Sequence, residues 1–297
     1  MFKNIIFFNH WHYGDIFTTR EMVKDIQSQL PNYRYGYVHA LSPLILKDLK
    51  FMNLSQDKNN QILQNITDRT KFAISDDTLF VNTWIGPYEN MWEGFNPTYH
   101  DFYNIFKHIY DSLNQNFNLN LIIKDSVWDY IPDIDYTTVE TERVHQILNE
   151  AVNGRLFLIC NGPGLSNQSN MGFMENIIEI LARTYPQDTF IVTHGFPTIL
   201  TNIKFTFDIF RMSNDLLEIS YISTFADVIV GKNSGPYTYS STKSNISNPN
   251  KKFVCFTKID SDTLTYGLNC SAKISISDTV NDIDAAYLIN QSIKQQD

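Results

Sequence analysis

Positive charge is scarce in this chain: 23 Lys and Arg stand against 32 Asp and Glu, a formal net charge of −9. A nucleic-acid backbone or an anionic membrane surface would be repelled, so neither is expected as a partner, although a local basic pocket is compatible with the total. Cysteine is sparse too. Cys160, Cys255 and Cys270 are odd in number, far apart and set in or beside apolar runs, which suits buried thiols in a reducing compartment better than a disulfide framework. Long hydrophobic runs are missing. The opening Met1-Phe-Lys-Asn-Ile-Ile-Phe-Phe meets His10, His12 and Asp15 too soon for a signal peptide or a membrane span, so no transmembrane segment is expected and a cytoplasmic protein is.

Recognisable cofactor signatures are also lacking. His10 and His12 form a His-X-His pair, but no Cys/His cluster with ligand spacing accompanies them, so no metal and no resident cofactor is expected. Neither the phosphate-binding loop of nucleotide hydrolases nor a Gly-X-Gly-X-X-Gly fingerprint stands at a strand end, which argues against a nicotinamide oxidoreductase. There is no repeat of solenoid length and no linker rich in Pro, Gly or Ser.

What is present is a globular composition, 43% apolar with 14% aromatic and 19% charged residues. Ile5 to Phe8 is a continuous apolar run of the kind buried on both faces of a parallel sheet. It ends at Asn9-His-Trp-His-Tyr-Gly-Asp15. Helical spacing follows over 16–30 and stops at Pro31. Strands are predicted at 35–38 and 79–84 and a helix over 102–113, while 119–132 is ambiguous. After a helix over 140–152 the pattern restarts: an apolar strand at 155–160 runs into Asn161-Gly-Pro-Gly164. Helices over 174–184, 216–224 and 283–293 then alternate with strands at 189–193, 227–230, 253–256 and 273–276. Alternation predicts parallel sheets, and the restart near residue 154 predicts two of them. The expected fold class is α/β, with two Rossmann-like lobes, residues 1–152 and 153–297, facing a central cleft and binding ligands at the carboxyl ends of their strands.

Three turns carry candidate chemistry. At the first, Asp15 is placed to take a proton from a sugar or alcohol hydroxyl, or to cap the helix behind it, and the two roles are compatible. Gly14 lets the backbone open there, and His10 and His12 give it a polar lining. At the second, Asn161, Gly162, Gly164 and Ser166 suit a diphosphate or a sugar, or form an ordinary tight turn. The third runs from an apolar strand into Gly231-Lys232-Asn233-Ser234-Gly235-Pro-Tyr237, where glycines admit close backbone approach and Lys232 adds a charge. Upstream, Glu218 is suited to a nucleotide ribose or to decorating a helix start. Trp84, Tyr88, Trp92, Phe95 and Tyr99 crowd a Pro- and Gly-containing stretch, where aromatics stack on sugar rings or pack together.

Taken in order, Gly14-Asp15, Gly162-Pro-Gly164 and Asn233-Ser-Gly-Pro-Tyr-Thr238, with the run Leu216 to Gly231 leading into the last, resemble the lipopolysaccharide heptosyltransferase family, whose fold is glycosyltransferase-B. The resemblance implies an inverting, metal-independent glycosyltransferase in which Asp15 is the general base. It places the acceptor, a glycan or a lipid-linked hydroxyl compound, near His10, His12, Gly14 and Trp84. The nucleotide-sugar donor would lie on Asn161, Gly162, Gly164, Ser166, Glu218, Lys232, Asn233, Ser234, Gly235 and Tyr237. This chain departs from the family at Asn233, where the family has Asp, at Thr238, where it has His, and at Asn167 and Gln168, where a basic residue is expected. A sugar-nucleotide epimerase of the same architecture and a carbohydrate- or nucleotide-binding module without catalysis are the alternatives.

Overall fold

Five residues with no charge among them, Asn4 to Phe8, form one of the two inner strands of the first sheet, and all five are buried. The computed structural model describes residues 2–41, 43–52, 54–84, 86–89, 99–151, 154–162, 169–206, 216–258 and 270–294. The chain divides into two compact units, Met1–Pro132 and Asp133–Asp297.

The first unit runs β1 (Asn4–Phe8), α1 (Tyr13–Thr18), α2 (Arg20–Gln29), β2 (Arg34–Val38), α3 (Gln56–Asn65), β3 (Phe72–Ser75), β4 (Thr78–Asn82), α4 (Gly86–Glu89) and α5 (Tyr99–Phe117). Its sheet has the order β2-β1-β4-β3, with β1 parallel to both neighbours. The sheet is not wholly parallel as alternation predicted: β3 and β4 are an antiparallel hairpin, because the Asp76-Asp77 connection is too short for a crossover. Asp76 takes the left-handed conformation, φ 52°, which Asp tolerates better than most residues. The single helix expected over 16–30 is two. They meet at Thr19, whose hydroxyl donates to the carbonyls of Asp15 and Ile16 at 3.2 Å each and so competes with the backbone ladder. The ambiguous middle stretch forms a 3-10 turn at Val127–Tyr130. It is tied to α2 through the Asp25 carboxylate, which accepts from Tyr110 and Tyr130.

The second unit runs α6 (Thr141–Glu150), β5 (Leu156–Cys160), α7 (Glu175–Thr184), β6 (Thr189–Val192), β7 (Ile203–Phe205), α8 (Leu216–Phe225), β8 (Val228–Lys232), α9 (Gly235–Ser240), α10 (Lys243–Ile246), β9 (Lys252–Phe256), β10 (Lys273–Ser277) and α11 (Asp282–Lys294). Every strand pair is parallel, in the order β10-β9-β8-β5-β6-β7. Counted from β5, that is the 3-2-1-4-5-6 order of dinucleotide-binding sheets. Phe157, Ile159, Phe190, Val230 and Phe256 face Ile177 and Leu181 of α7 and Ile289 of α11 in one apolar core. Phe157 and Phe190 stack there at 4.5 Å. Helix α6, assigned by the sequence to the first lobe, packs on α8 through an Arg143–Glu218 ion pair of 3.1 Å, so the second unit begins before it.

Lys251 closes the carboxyl end of α8. Its buried ammonium donates to the carbonyls of Ser223, Thr224 and Ala226 at 2.8, 2.9 and 2.7 Å, acceptors that a helix end leaves unpaired. Lys251→Met strands them, and the expected loss of stability is on the order of 3 kcal/mol. Urea unfolding checks this: the midpoint should fall with an unchanged slope. Among the described residues, no helix is long and apolar enough to cross a membrane.

Candidate functional site

In each sheet the chain reverses its direction of growth between two adjacent strands, and open α/β sheets bind ligands at the carboxyl end of such a pair. In the second unit the pair is β5 and β8, since β6 and β7 lie on one side and β9 and β10 on the other. The carboxyl ends there are Asn161-Gly162 and Lys232 to Gly235. In the first unit the pair is β1 and β4, which end at Asn9 to Asp15 and at Thr83-Trp84. Most of the predicted site residues that the structure describes therefore gather at two places, one per unit.

At the β5/β8 ends the two glycines differ in kind. A Cβ on Gly231 would stand 2.7 Å from the Cys160 Cβ and 3.2 Å from the Tyr237 ring, whereas one on Gly162 would meet nothing within 4 Å among the described residues. Gly231 is thus demanded by packing and Gly162 is not. Gly231→Ala should cost about 1–3 kcal/mol through overpacking. Gly162→Ala should leave the melting temperature unchanged and weaken only what approaches its backbone. Thermal melts of both variants, with and without a nucleotide-sugar donor, check the pair.

Lys232 is 5% exposed, and its ammonium donates to the carbonyl of Gly172 at 3.1 Å. Burial lowers its pKa, and the carboxylate of Glu175 opposes that shift. Asn161, also 5% exposed, brackets the end of β6: its amide donates to the His194 carbonyl at 2.9 Å and accepts from the His194 N–H at 2.8 Å. Ser234 precedes α9 in extended conformation, and its Oγ has no hydrogen-bond partner among the described residues. Asn233 and Gly235 flank it, both half-buried.

Two of the residues expected at the donor are committed elsewhere. Tyr237 is 3% exposed and packs over Gly231 and against Phe253, behind the turn rather than in it. Glu218 is 1% exposed on α8, with its carboxylate on Arg143 of α6; reaching a ribose would break that pair. Gly164 and Ser166 lie outside the described residues.

At the β1/β4 ends, Asp15 sits in the first turn of α1, and its Oδ2 accepts the backbone N–H of His12 at 2.9 Å. The capping role expected of Asp15 is therefore present. Burial pushes its carboxyl up to about 6, against the lowering effect of the backbone N–H groups of His12 and of Asp15 itself. Such a group is ionised at neutral pH and still basic enough to take a proton.

Behind it lies a buried polar network. Tyr37 shares a hydrogen bond of 2.8 Å with Thr83, and Asn9 donates to the same Thr83 hydroxyl at 3.2 Å. Burial lowers the His39 pKa to about 4, so the ring is neutral, and its Nδ1 accepts the N–H of Leu41. Trp84 lies 5.2 Å from Trp11, ring centre to ring centre. His10 is half-buried edge-on to Phe8, while His12 is exposed. Gly14 is half-buried and its carbonyl accepts from Thr18. Of the aromatic stretch, Tyr88 is fixed by donating to the Asn82 carbonyl at 2.9 Å, while Trp92 and Phe95 lie outside the described residues. Among the described residues no three His, Cys, Asp or Glu side chains form a group able to hold a metal ion.

Sequence reasoning passed over Trp11, Thr67, Asp68 and the two asparagines Asn9 and Asn82. The signal that finds the last two is a repeated triplet, Asn9-His-Trp11 and Asn82-Thr-Trp84, at the ends of neighbouring strands.

No family model matches the chain, and no curated protein matches it in sequence. Solved structures match it in fold. The chain is similar to the E. coli heptosyltransferase WaaC with ADP, at 9% identity over 98% of this chain and 99% of that one, with a TM-score of 0.52. It is similar to the E. coli ADP-heptose LPS heptosyltransferase II at 10% identity over 99% of each chain, with a TM-score of 0.53. For WaaC with ADP-2-deoxy-2-fluoro heptose the identity is 8%, over 99% of this chain and all of that one, with a TM-score of 0.50. The chain has the fold of these heptosyltransferases, the glycosyltransferase-B fold, along nearly its whole length.

Proposed function

We propose that the protein is a glycosyltransferase that moves a sugar from a nucleoside-diphosphate sugar to a hydroxyl of a glycan or lipid-linked acceptor, with inversion and without a bound metal. The observation that carries this reading is Asp15, a carboxylate of raised basicity at the β1/β4 carboxyl ends, in a chain folded like nucleotide-sugar enzymes.

In this reading the acceptor hydroxyl gives its proton to Asp15 as its oxygen attacks the anomeric carbon. The bond from that carbon to the diphosphate oxygen breaks on the opposite face, and the nucleoside diphosphate leaves with the electron pair. Lys232, which spends one of its three N–H donors on Gly172, and the open backbone at Gly162 and at Asn233 to Gly235 balance the departing charge. Fixed donors of this kind need no reorganisation as the charge appears, which is why they favour the transition state over the ground state. Because Asn233 and Thr238 replace an Asp and a His expected from the resemblance, the donor sugar is a matter for a panel and not for the fold.

The test is incubation of the full chain with a panel of nucleotide sugars, with and without chelator, recording thermal shift and release of nucleoside diphosphate. One donor should stabilise the protein and release its diphosphate slowly, insensitive to chelator and faster with acceptor present. An altered nucleotide sugar formed without acceptor would identify an epimerase instead. Stabilisation without release in the presence of acceptors would identify a binding module. No response to any donor would overturn the reading.

A further inference from the structure

The ends of β1 and β4 are built alike. Phe8 pairs with Asn82 in register, and each strand closes on an asparagine that is fully buried, Asn9 and Asn82. Each asparagine side chain accepts the backbone N–H of the tryptophan two residues on, Asn9 from Trp11 at 2.8 Å and Asn82 from Trp84 at 2.9 Å. Two such side-chain turns on neighbouring strands deliver two indoles side by side, with centres 5.2 Å apart and planes 32° apart.

The amide of Asn82 also donates to the carbonyls of Asp68 and Thr70, at 2.9 Å each. That ties the Thr67 to Thr70 turn to the same corner. Between the turn and the first indole lies an open cavity of about 350 Å³ lined by His10, Trp11, Thr67 and Asp68. Its volume is at the small end of the range for ligand sites and suits one or two sugar rings.

The Nε2 of His10 and the indole nitrogens of Trp11 and Trp84 are shielded from solvent and have no hydrogen-bond partner among the described residues. Buried indole N–H groups usually find partners, and leaving a donor unpaired costs about 1–3 kcal/mol. A pair of tryptophans serving packing alone would more simply be aliphatic or phenyl side chains. The lining supplies an aromatic face, a hydroxyl and a carboxylate, and it contains no Lys or Arg among the described residues. An aromatic face stacks on the apolar C–H face of a pyranose, a carboxylate accepts from vicinal hydroxyls, and the same carboxylate repels an acidic ligand.

We propose that Trp11, backed by Trp84 and faced by Thr67 and Asp68, is a subsite for an uncharged pyranose ring of the acceptor. This rests on the glycosyltransferase reading for the word acceptor, but the binding claim stands on the cavity. It commits the chain to a neutral glycan and against an acidic or phosphorylated one.

Saturation-transfer NMR on the full chain tests it, with methyl glycosides and disaccharides of neutral hexoses as probes and the matched hexuronates beside them. Neutral glycosides should bind and hexuronates should bind more weakly. Trp11→Ala should weaken neutral binding about tenfold, the size of one aromatic stacking contact. Trp11→Phe should retain most of it, which separates loss of the face from loss of the fold. Asp68→Asn should remove the discrimination against hexuronates. Hexuronate binding as tight as neutral binding in the wild type, neutral binding indifferent to Trp11→Ala, or no sugar binding would each overturn the proposal. Displacement of the sugar by a free nucleoside would overturn it too, by assigning the indole face to a base. Donor-induced thermal shift, recorded on the same proteins, reports separately on the glycosyltransferase reading.

Discussion

Asp15→Asn should lower sugar transfer by about 10²–10⁴-fold, the usual contribution of a positioned general base, and should raise rather than lower the protein's stability at neutral pH. The asparagine side chain is the same size and still offers an oxygen to the His12 N–H, so the start of α1 survives. The sign of the stability effect at neutral pH follows from the carboxyl's shift. Burial raises its pKa from 3.8 to about 6, so the folded state holds that proton more tightly than the unfolded chain does. The stability this contributes is full below 3.8 and is lost as pH rises through about 6. At pH 7 the ionised carboxylate is therefore a burden on the fold, and the neutral amide removes it. In the wild type, kcat/KM should fall tenfold per unit as pH drops below about 6, because a protonated Asp15 accepts nothing. The variant's residual rate should lack that limb. A pH-rate profile of both proteins, beside thermal melts, checks all of this.

The second large effect belongs to Lys232. Lys232→Met keeps most of the buried stem and removes the ammonium that donates to Gly172. If that charge balances the departing diphosphate, kcat should fall by about 10²–10³-fold, as when one fixed donor is removed from a developing anion. The loss should appear more in kcat than in donor KM, because the charge matters most when the bond to the diphosphate breaks. A purely structural lysine would instead give a lower melting temperature with an unchanged kcat in the folded fraction. Steady-state kinetics and melts on one preparation separate the two.

Most strands were legible in the sequence because they are apolar runs buried on both faces. Ile5 to Phe8, Leu156 to Cys160 and Val228 to Val230 need no neighbour to be read. The pieces that were not legible are short or polar. Helix α3 carries only two large apolar residues, Ile62 and Leu63, in ten positions. Strand β7 is three residues long, and β3 is an edge strand whose partner is set by a tight turn. The start of the second unit was misplaced because the Arg143–Glu218 contact that assigns α6 to it joins residues distant in sequence.

At the site, the places of Asp15 and Gly162 in the fold were readable from the chain, since both stand just beyond the ends of strands. Burial was not readable. Nothing in Gly-Pro-Tyr-Thr distinguishes a tyrosine that faces a ligand from one that covers Gly231, and nothing in Leu-Leu-Glu-Ile marks Glu218 as an interior ion-pair partner. The paired tryptophans show the same limit in reverse. Each Asn-X-Trp triplet is unremarkable alone, and its meaning comes from the β1/β4 register.

Donor binding on the second unit can be read by hydrogen exchange of the full chain, followed by mass spectrometry, with and without the nucleotide sugar that gives the largest thermal shift. New protection is expected in peptides covering 156–162 and 228–240, at the carboxyl ends of β5 and β8. Protection confined to other segments, with these peptides unchanged at saturating donor, would contradict it.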